Sequence, residues 1–453
     1  MRALTRIAAV AVAGAVLYYA GLVNSMVLTH PGRPGAVPVV IGIAAAIVVL
    51  ALAVSGTGRG DAATGGTRVV ALRAAWAFVS IMALVGVGWF WSLPRQKSFD
   101  WTPYHNDAIA LNECAARLLA DGRDPYRDLD LFACYGRLQI GPDRTTPLRR
   151  GLFAADVVYP TDDELDAAWA LRSTGQGPNE EFVWRPSYPA VSILPLVPFV
   201  LLGWDTNYVY VTCLLVAMGL VLARAPQGLR PFVLTALLGA ASLVAFTVGG
   251  SADLLYALPL VAAWLWRERR WSALALGIAI ATKQLAWFFV PFYLISTTSE
   301  LGLREGLRRL GIAAGVFIVT NLPFVIWDWR SWLLGVLTPA LEPMFPRGAG
   351  LVFLSTNGGF PLLPAAAYTL LEVAAYAVCL AIAWRARRTS PERGVVLAVV
   401  PLFLGWRSLF SYFFLLPLFA LAGIARMPLG DLVPERARAL GALTLFAGPV
   451  RTR

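Results

Sequence analysis

The sequence predicts an all-α polytopic membrane protein, a bundle of about 11–13 membrane helices with one large extracytoplasmic loop that contains short helices. The chain is 58% hydrophobic and only 14% charged, with a mean hydropathy of +0.65, whereas soluble domains carry about 25% charged residues. Apolar runs of about 20 residues, the length that crosses a bilayer, recur along it. One polar block, 94–185, interrupts them and holds 15 of the 27 acidic residues.

The N-terminal segments and the basic residues set the expected direction of the chain. The 38 basic residues, which give the chain a net charge of +11, are almost all arginine. Arginines are typical of cytoplasmic loops in membrane proteins, so this charge does not indicate nucleic-acid binding. The first apolar run, 7–28, is too long for a signal peptide and is predicted to be a retained anchor. Further spans at 37–55 and 70–93 place the block 94–185 outside.

Two basic turns downstream should both face the cytoplasm, at 267–270 and 304–309. A single 26-residue helix between them would put its two ends on opposite sides of the membrane. We therefore predict two half-spans, 271–282 and 285–296, with Lys283 at the outer turn between them.

The rest of the chain is predicted to alternate across the membrane, with a broken or re-entrant segment at the proline-rich stretch 186–203. The other segments are expected at 231–248, 252–266, 310–327, 362–384, 394–405 and 409–425, with an outer loop at 328–350. The domain division is an N-terminal two-span extension (1–69), a membrane domain (70–430) containing the loop 94–185, and a cytoplasmic or interfacial tail (431–453).

Ionisable residues near a membrane are costly and are therefore functional candidates. The topology places five of them on the outer face: Asp107, Asp253, Lys283, Asp328 and Arg407. Asp107 lies at or near the start of a predicted amphipathic helix, where capping is the simpler role. Lys283 could instead be a snorkelling lysine at a helix end, and Asp253 could simply pair with it.

The loop also contains two cysteines and a second helix start. Because a pair outside the cytoplasm can be oxidised, we expect a disulfide between Cys114 and Cys134, with free thiols as the alternative. Thr161 followed by Glu164 predicts a capping box. Only two histidines and no CxxC occur, so neither a metal nor a cofactor is expected.

Four stretches, in this order, carry a resemblance to a known family. They are Asp107 through Asp124-Pro125-Tyr126, Tyr188-Pro189, Ala252-Asp253 through Lys283-Gln284, and Arg407 through Pro417. Their order and topology resemble the GT-C superfamily of integral membrane glycosyltransferases, in particular the mannosyltransferase-like, polyprenyl-phosphate-sugar-dependent glycosyltransferase family 87. The likeness covers about 70–425 and departs from the pattern in two extra N-terminal spans and in lacking a histidine-rich late motif.

The resemblance implies an enzyme that moves mannose, or a related pentose or hexose, from a polyprenyl-phosphate donor to an extracytoplasmic glycolipid or cell-wall glycan by inverting attack. It implies a bacterial inner-membrane location with an outward-facing site. Asp107 would be the catalytic base. Phosphate-binding candidates are Lys283, Arg407 and Arg185, and sugar- or acceptor-binding candidates are Asp253, His105, Trp101 and Tyr104.

Two other functions remain open at this stage. One is a flippase or transporter of lipid-linked glycans, which would place charges at mid-membrane and show internal repeats. The other is a non-catalytic subunit that retains the scaffold.

Overall fold

The protein is described here from a computed structural model, which covers residues 2–29, 35–55, 66–92, 106–245 and 251–427. Within these ranges the chain is mostly helical, and its only strands are one pair of two residues each. Six of the described helices are long and apolar enough to cross a membrane, and three shorter apolar helices accompany them. The predicted all-α polytopic membrane fold is confirmed.

Three long helices open the chain close to the bounds predicted for the first three spans. They are α1 (Arg2–Thr29), α2 (Ala36–Ala53) and α3 (Gly66–Ser92). Apolar side chains dominate all three, and α1 and α2 pack along each other. The first two predicted spans therefore pack as a helical pair.

The large polar loop contains short helices. They are α4 (Asp107–Ala120), α5 (Pro125–Asp128), α6 (Leu131–Leu138) and α7 (Asp162–Ser173). The α7 helix begins at the predicted capping box, where Thr161 and Glu164 each accept a backbone N–H of the other. Gly122 follows α4 with a positive φ of 71°, as expected for a glycine that ends a helix.

The second half of the chain alternates long helices with short or broken ones. They are α8 (Val197–Leu201), α9 (Asn207–Arg224), α10 (Arg230–Gly239), α11 (Ala241–Ala245), α12 (Leu254–Leu265), α13 (Ser272–Ile280), α14 (Val290–Leu301), α15 (Leu303–Val336), α16 (Thr338–Leu341), α17 (Val352–Asn357), α18 (Ala365–Ala386), α19 (Gly394–Leu397) and α20 (Leu416–Arg426). The strands are β1 (Arg347–Gly348) and β2 (Arg407–Ser408). The proline-rich stretch is broken, because two 3-10 turns precede α8.

The apolar run around Lys283 is interrupted where the charge pattern predicted. Helix α13 ends at Ile280, Lys283 is extended (φ −154°, ψ 143°), and a 3-10 helix at Gln284–Phe289 leads into α14. Two half-spans therefore replace one continuous helix. The break removes Lys283 from helical geometry and allows its side chain to point into the protein interior, where it is 7% exposed.

The predicted span 310–327 ends where the structure breaks the helix, and a further helical segment runs to Val336 within the predicted outer loop 328–350. The helix is kinked at Asp328, whose φ of −155° and ψ of 95° are not helical. The Asp328 carboxylate accepts the backbone N–H groups of Arg330 (3.0 Å) and Ser331 (3.1 Å). It thereby caps a new helical segment, which sequence periodicity alone did not indicate.

Arg267 of the first predicted basic turn lies in an ionic network at one end of α13, and its carbonyl accepts a hydrogen bond from Arg309 of the second turn. Arg267 is fully buried and pairs with Glu392 at 2.7 Å and with Glu300. Arg426 pairs with Glu268 at 2.6 Å and also with Glu392. Nine residues of helix, about 13 Å, separate this network from the chain break that follows α13. The arginine turns therefore lie at the opposite end of α13 from Lys283.

Candidate active site

The segment around Tyr188 is the point where three of the sequence stretches meet. The Tyr126 hydroxyl donates a hydrogen bond to the Tyr188 carbonyl at 2.7 Å. Gln284 Nε2 donates to the Ser187 carbonyl at 2.8 Å, and the Asn321 side-chain oxygen accepts the Ala190 N–H. The broken stretch 186–203 is therefore anchored on both sides, which fixes the Tyr188 ring.

Lys283 forms a buried ion pair with Asp253. The Nζ–Oδ1 distance is 2.6 Å, and the two side chains are 9% and 1% exposed. Asp253 also accepts a hydrogen bond from the Ser251 hydroxyl, and Lys283 Nζ lies 4.6 Å from the centre of the Tyr188 ring. Pairing, which the sequence left open as the simpler role of Asp253, is what the structure shows.

Asp107 occupies the first helical position of α4, and Asn106 is the cap. The Asn106 side chain accepts the Ile109 N–H at 2.9 Å, so the expectation that Asp107 itself caps the helix is corrected by one residue. The half-buried Asp107 carboxylate instead accepts a hydrogen bond from the Thr146 hydroxyl. Because Asn106 supplies the cap, Asp107 retains a carboxylate oriented by Thr146 and stabilised by the helix N-terminus.

Two arginines lie side by side in the strand pair. β1 and β2 are parallel and place Arg347 opposite Arg407. The Arg347 guanidinium stacks over the Tyr159 ring at 3.8 Å. Arg407 Nη1 is buried, and no hydrogen-bond partner is found for it among the residues that the structure describes. A buried cationic donor without a partner is costly, and an anion would satisfy it.

Three tyrosines each experience the charges of several of these residues. Burial raises the pKa of Tyr159, Arg347 and Arg407 oppose that rise, and Asp107 adds to it. Tyr188 lies within electrostatic range of Asp107, Asp253 and Lys283. Tyr412 lies within range of Arg407, Lys283 and Asp253.

We group the charged side chains that act electrostatically on these tyrosines under the name charged cluster: Asp107, Asp253, Lys283, Arg347 and Arg407. Three are cations and two are anions. Lys283 shares its charge with Asp253, whereas the two arginines form no ion pair with any other residue that the structure describes.

Arg347 and Tyr159 were not predicted from the sequence. Arg347 lies within the part of the chain expected outside, where the positive-inside rule makes arginine uncommon. An arginine in a segment predicted to lie outside was therefore the signal that could have identified Arg347 as a candidate. Tyr159 carries no comparable signal, because its partner is distant in the chain.

The remaining predicted site residues are not part of the charged cluster. Arg185 stacks on the ring of its neighbour Trp184 at 4.3 Å and lines a separate cavity with Glu342. Asp328 is the helix cap described above. The predicted sugar-binding residues at 101, 104 and 105 (Trp101, Tyr104 and His105) lie outside the described residues.

Cys114 and Cys134 form a disulfide that joins α4 to α6, with an S–S distance of 2.11 Å. Cys114 lies in α4, the helix that begins at Asp107. The bond therefore ties the position of that helix to the remainder of the loop.

Fold and site together define a polytopic α-helical membrane protein whose charged cluster holds two carboxylates and three cations. Residues 187–411, about half of the chain, match the model of Glycosyltransferase family 87. The chain belongs to this family, and its activity class is that of a glycosyltransferase. The matched range contains Lys283, Arg347 and Arg407, whereas Asp107 precedes it. No curated protein and no solved structure matches the chain significantly.

Proposed function

We propose that the protein transfers mannose, or a related pentose or hexose, from a polyprenyl-phosphate donor to an extracytoplasmic glycolipid or glycan acceptor, with inversion at the anomeric carbon. The observation that carries the proposal is the charged cluster. It combines one available carboxylate with an arginine pair, one of whose buried donors has no partner among the described residues.

The chemistry needs only these groups. A lipid phosphate is a good leaving group that requires cations, whereas the acceptor hydroxyl requires a base. Asp107 accepts the hydroxyl proton as the hydroxyl oxygen bonds to the anomeric carbon. The bond from that carbon to the phosphate oxygen breaks, and the electron pair leaves on the phosphate. No further cofactor enters the reaction.

The roles of the cations follow from their partners. Arg407 and Arg347 present two guanidinium groups, which suit phosphate oxygens because each can donate two hydrogen bonds. Lys283 contributes to the same anion site while its charge is shared with Asp253 at 2.6 Å. Arg185 is better assigned to the separate cavity.

The proposed location is a bacterial inner membrane, with the charged cluster on the extracytoplasmic side. The Cys114–Cys134 disulfide supports this orientation, because disulfides persist in oxidising compartments and are rare in the cytosol. The arginine network at the other end of α13 agrees with it.

The proposal is tested with purified protein, radiolabelled polyprenyl-phosphate mannose or arabinose, and a set of glycolipid acceptors. We expect label in the acceptor with the wild-type protein and none with Asp107→Asn of equal thermal stability. NMR of the product should show the anomeric configuration opposite to that of the donor. Movement of lipid-linked sugar across vesicles without transfer would favour a flippase, and neither activity would favour a non-catalytic subunit.

A further inference from the structure

A cavity of about 370 Å³ lies between the polar loop and the segment that holds Thr338 and Glu342, and Lys283 does not line it. Its walls come from Leu148–Arg150, Pro178–Arg185 and the region Thr338–Glu342. The volume is within the range of roughly 300–1,000 Å³ that is typical of small-molecule sites.

The cavity carries an aromatic surface and unsatisfied polar atoms. Trp184 lines it, and the Arg185 guanidinium lies 4.3 Å from the ring centre. Arg185 Nε and Asn179 Oδ1 are buried, and neither has a hydrogen-bond partner among the described residues. One is a donor and the other an acceptor. Buried polar atoms without partners are costly, so a ligand with both donors and acceptors would satisfy them.

The charges in the cavity favour a neutral ligand. Arg150 pairs with Glu342 at 2.8 Å. Arg185 lines the cavity together with the same Glu342 carboxylate. Burial lowers the pKa of Arg185, and the charge of Glu342 opposes this lowering. Glu180 also lines the cavity. An anion that approached Arg185 would meet both carboxylates, whereas hydroxyl groups can donate to the carboxylates and accept from the guanidinium.

The cavity is connected directly to the residue that orients Asp107. The Val183 N–H donates to the Thr146 carbonyl at 3.0 Å, while the Thr146 hydroxyl donates to Asp107. Val183 lines the cavity. The cavity and the Asp107 carboxylate therefore flank the same short extended pairing between the segments around Thr146 and Val183.

We propose that this cavity binds a neutral saccharide residue of the acceptor, with the sugar ring on Trp184 and its hydroxyls on Asn179, Arg185 and Glu342. The proposal rests on the proposed function in one respect only, the assignment of the saccharide to the acceptor. The cavity would hold a sugar one or more units from the reacting hydroxyl. It would thus select acceptors by length.

Direct binding tests the cavity without any transfer. The purified full-length protein is titrated with neutral mannotriose, maltotriose and galactotriose, and with anionic trigalacturonate, and followed by saturation-transfer NMR. We expect at least one neutral trisaccharide to bind and trigalacturonate to bind more weakly. Trp184→Ala should weaken neutral binding about tenfold, and Asn179→Ala about two- to tenfold.

Matched variants separate binding from folding. Trp184→Phe should restore part of the binding, because it keeps an aromatic face. Trp204→Ala removes an exposed tryptophan that does not line the cavity, and it should bind as the wild type does. Each variant is compared by thermal unfolding.

The outcomes distinguish this site from the proposed activity. If the protein transfers no sugar but binds a saccharide in a manner that depends on Trp184, the cavity proposal stands and the proposed transfer activity fails. Normal transfer together with binding that ignores Trp184 and Asn179 would reject the site alone. Failure of every neutral trisaccharide to bind, or stronger binding of trigalacturonate, would also overturn the proposal.

Discussion

Arg347 and Arg407 are paired in parallel register, and this pairing places their backbones side by side. The Ala349 N–H donates to the Ser408 carbonyl at 2.7 Å and the Arg347 N–H to the Trp406 carbonyl at 3.4 Å. Such backbone bonds fix the Cα positions of the two arginines relative to each other. A phosphate site that uses both arginines would therefore depend on this backbone pairing.

Removing either arginine of this pair should impair use of the phosphate donor. We expect Arg407→Ala and Arg347→Ala each to lower kcat/KM about 10- to 100-fold, because a hydrogen bond to a charged group contributes about 1.5–3 kcal/mol. Arg407→Lys should fall between the wild type and Arg407→Ala, since it keeps the charge and loses the planar pair of donors. Initial rates at varied donor concentration measure this.

The matched control for the arginine variants is Arg330→Ala, which removes an exposed arginine outside the charged cluster. It should leave the donor kinetics unchanged. Equal donor kinetics for Arg407→Ala and the wild type would remove Arg407 from the anion site.

Gly348 should be needed for the arginine pair to form. A Cβ at this position would collide with the carbonyl of Ser408, and α1 contacts the same residue because Asn24 Nδ2 donates to the Gly348 carbonyl at 3.2 Å. We expect Gly348→Ala to lower activity as strongly as Arg347→Ala. Gly88→Ala is the control, because the Cβ there meets no atom within 4 Å. An active Gly348→Ala enzyme would mean that the strand pair is dispensable.

Asp107 and Thr146 should affect catalysis to different degrees. Asp107→Asn removes the base and should abolish turnover, whereas Thr146→Val removes only the hydroxyl that orients the carboxylate and should reduce kcat about tenfold. The donor KM should change little in Thr146→Val. Single-turnover rates with saturating donor measure both effects. Near-normal turnover by Asp107→Asn would rule out its assignment as the base.

The ion pair of Lys283 and Asp253 permits a double-variant test of its role. Lys283→Ala leaves a carboxylate that is 1% exposed without its cation, and removing one partner of a buried pair costs about 3–5 kcal/mol. We expect the double variant Lys283→Ala/Asp253→Ala to regain thermal stability and to keep a raised donor KM, because Lys283 also contributes to the anion site. Recovery of the donor KM along with stability would show that Lys283 serves only to pair with Asp253.

The sequence predicted those parts of the structure that local patterns encode. Charge alternation located the chain break at Lys283, and residue type located the capping box at Thr161. The cap of α4 was missed by one residue, since Asn106 and Asp107 are both good caps and only the fold decides between them. The pairing of Arg347 with Arg407 could not be predicted, because two-residue strands have no periodicity and their partners are far apart in the chain.

Glu181 should make the stability of the polar loop depend on pH. Its carboxylate is fully buried, pairs with Arg172 at 2.7 Å, and accepts the Leu152 N–H at 2.9 Å. Burial opposes its ionisation, but these partners outweigh burial and hold the pKa of Glu181 below its ordinary value of 4.5. A lowered pKa stabilises the folded state above the unfolded value, and this contribution is lost as pH falls through the folded pKa.

Glu181→Gln should therefore lower the free energy of unfolding by roughly 3 kcal/mol at neutral pH. The difference from the wild type should shrink as the pH falls below about 4.5, the ordinary value for this carboxyl, because protonation first favours the unfolded chain and, at lower pH, also removes the charge from the folded protein. Thermal unfolding of the detergent-purified protein across this range measures it, with the exposed neighbour changed in Glu180→Gln as the control. A difference that stays constant down to pH 3, or an equal loss in the control, would show that the Glu181–Arg172 pair is not the source of the effect.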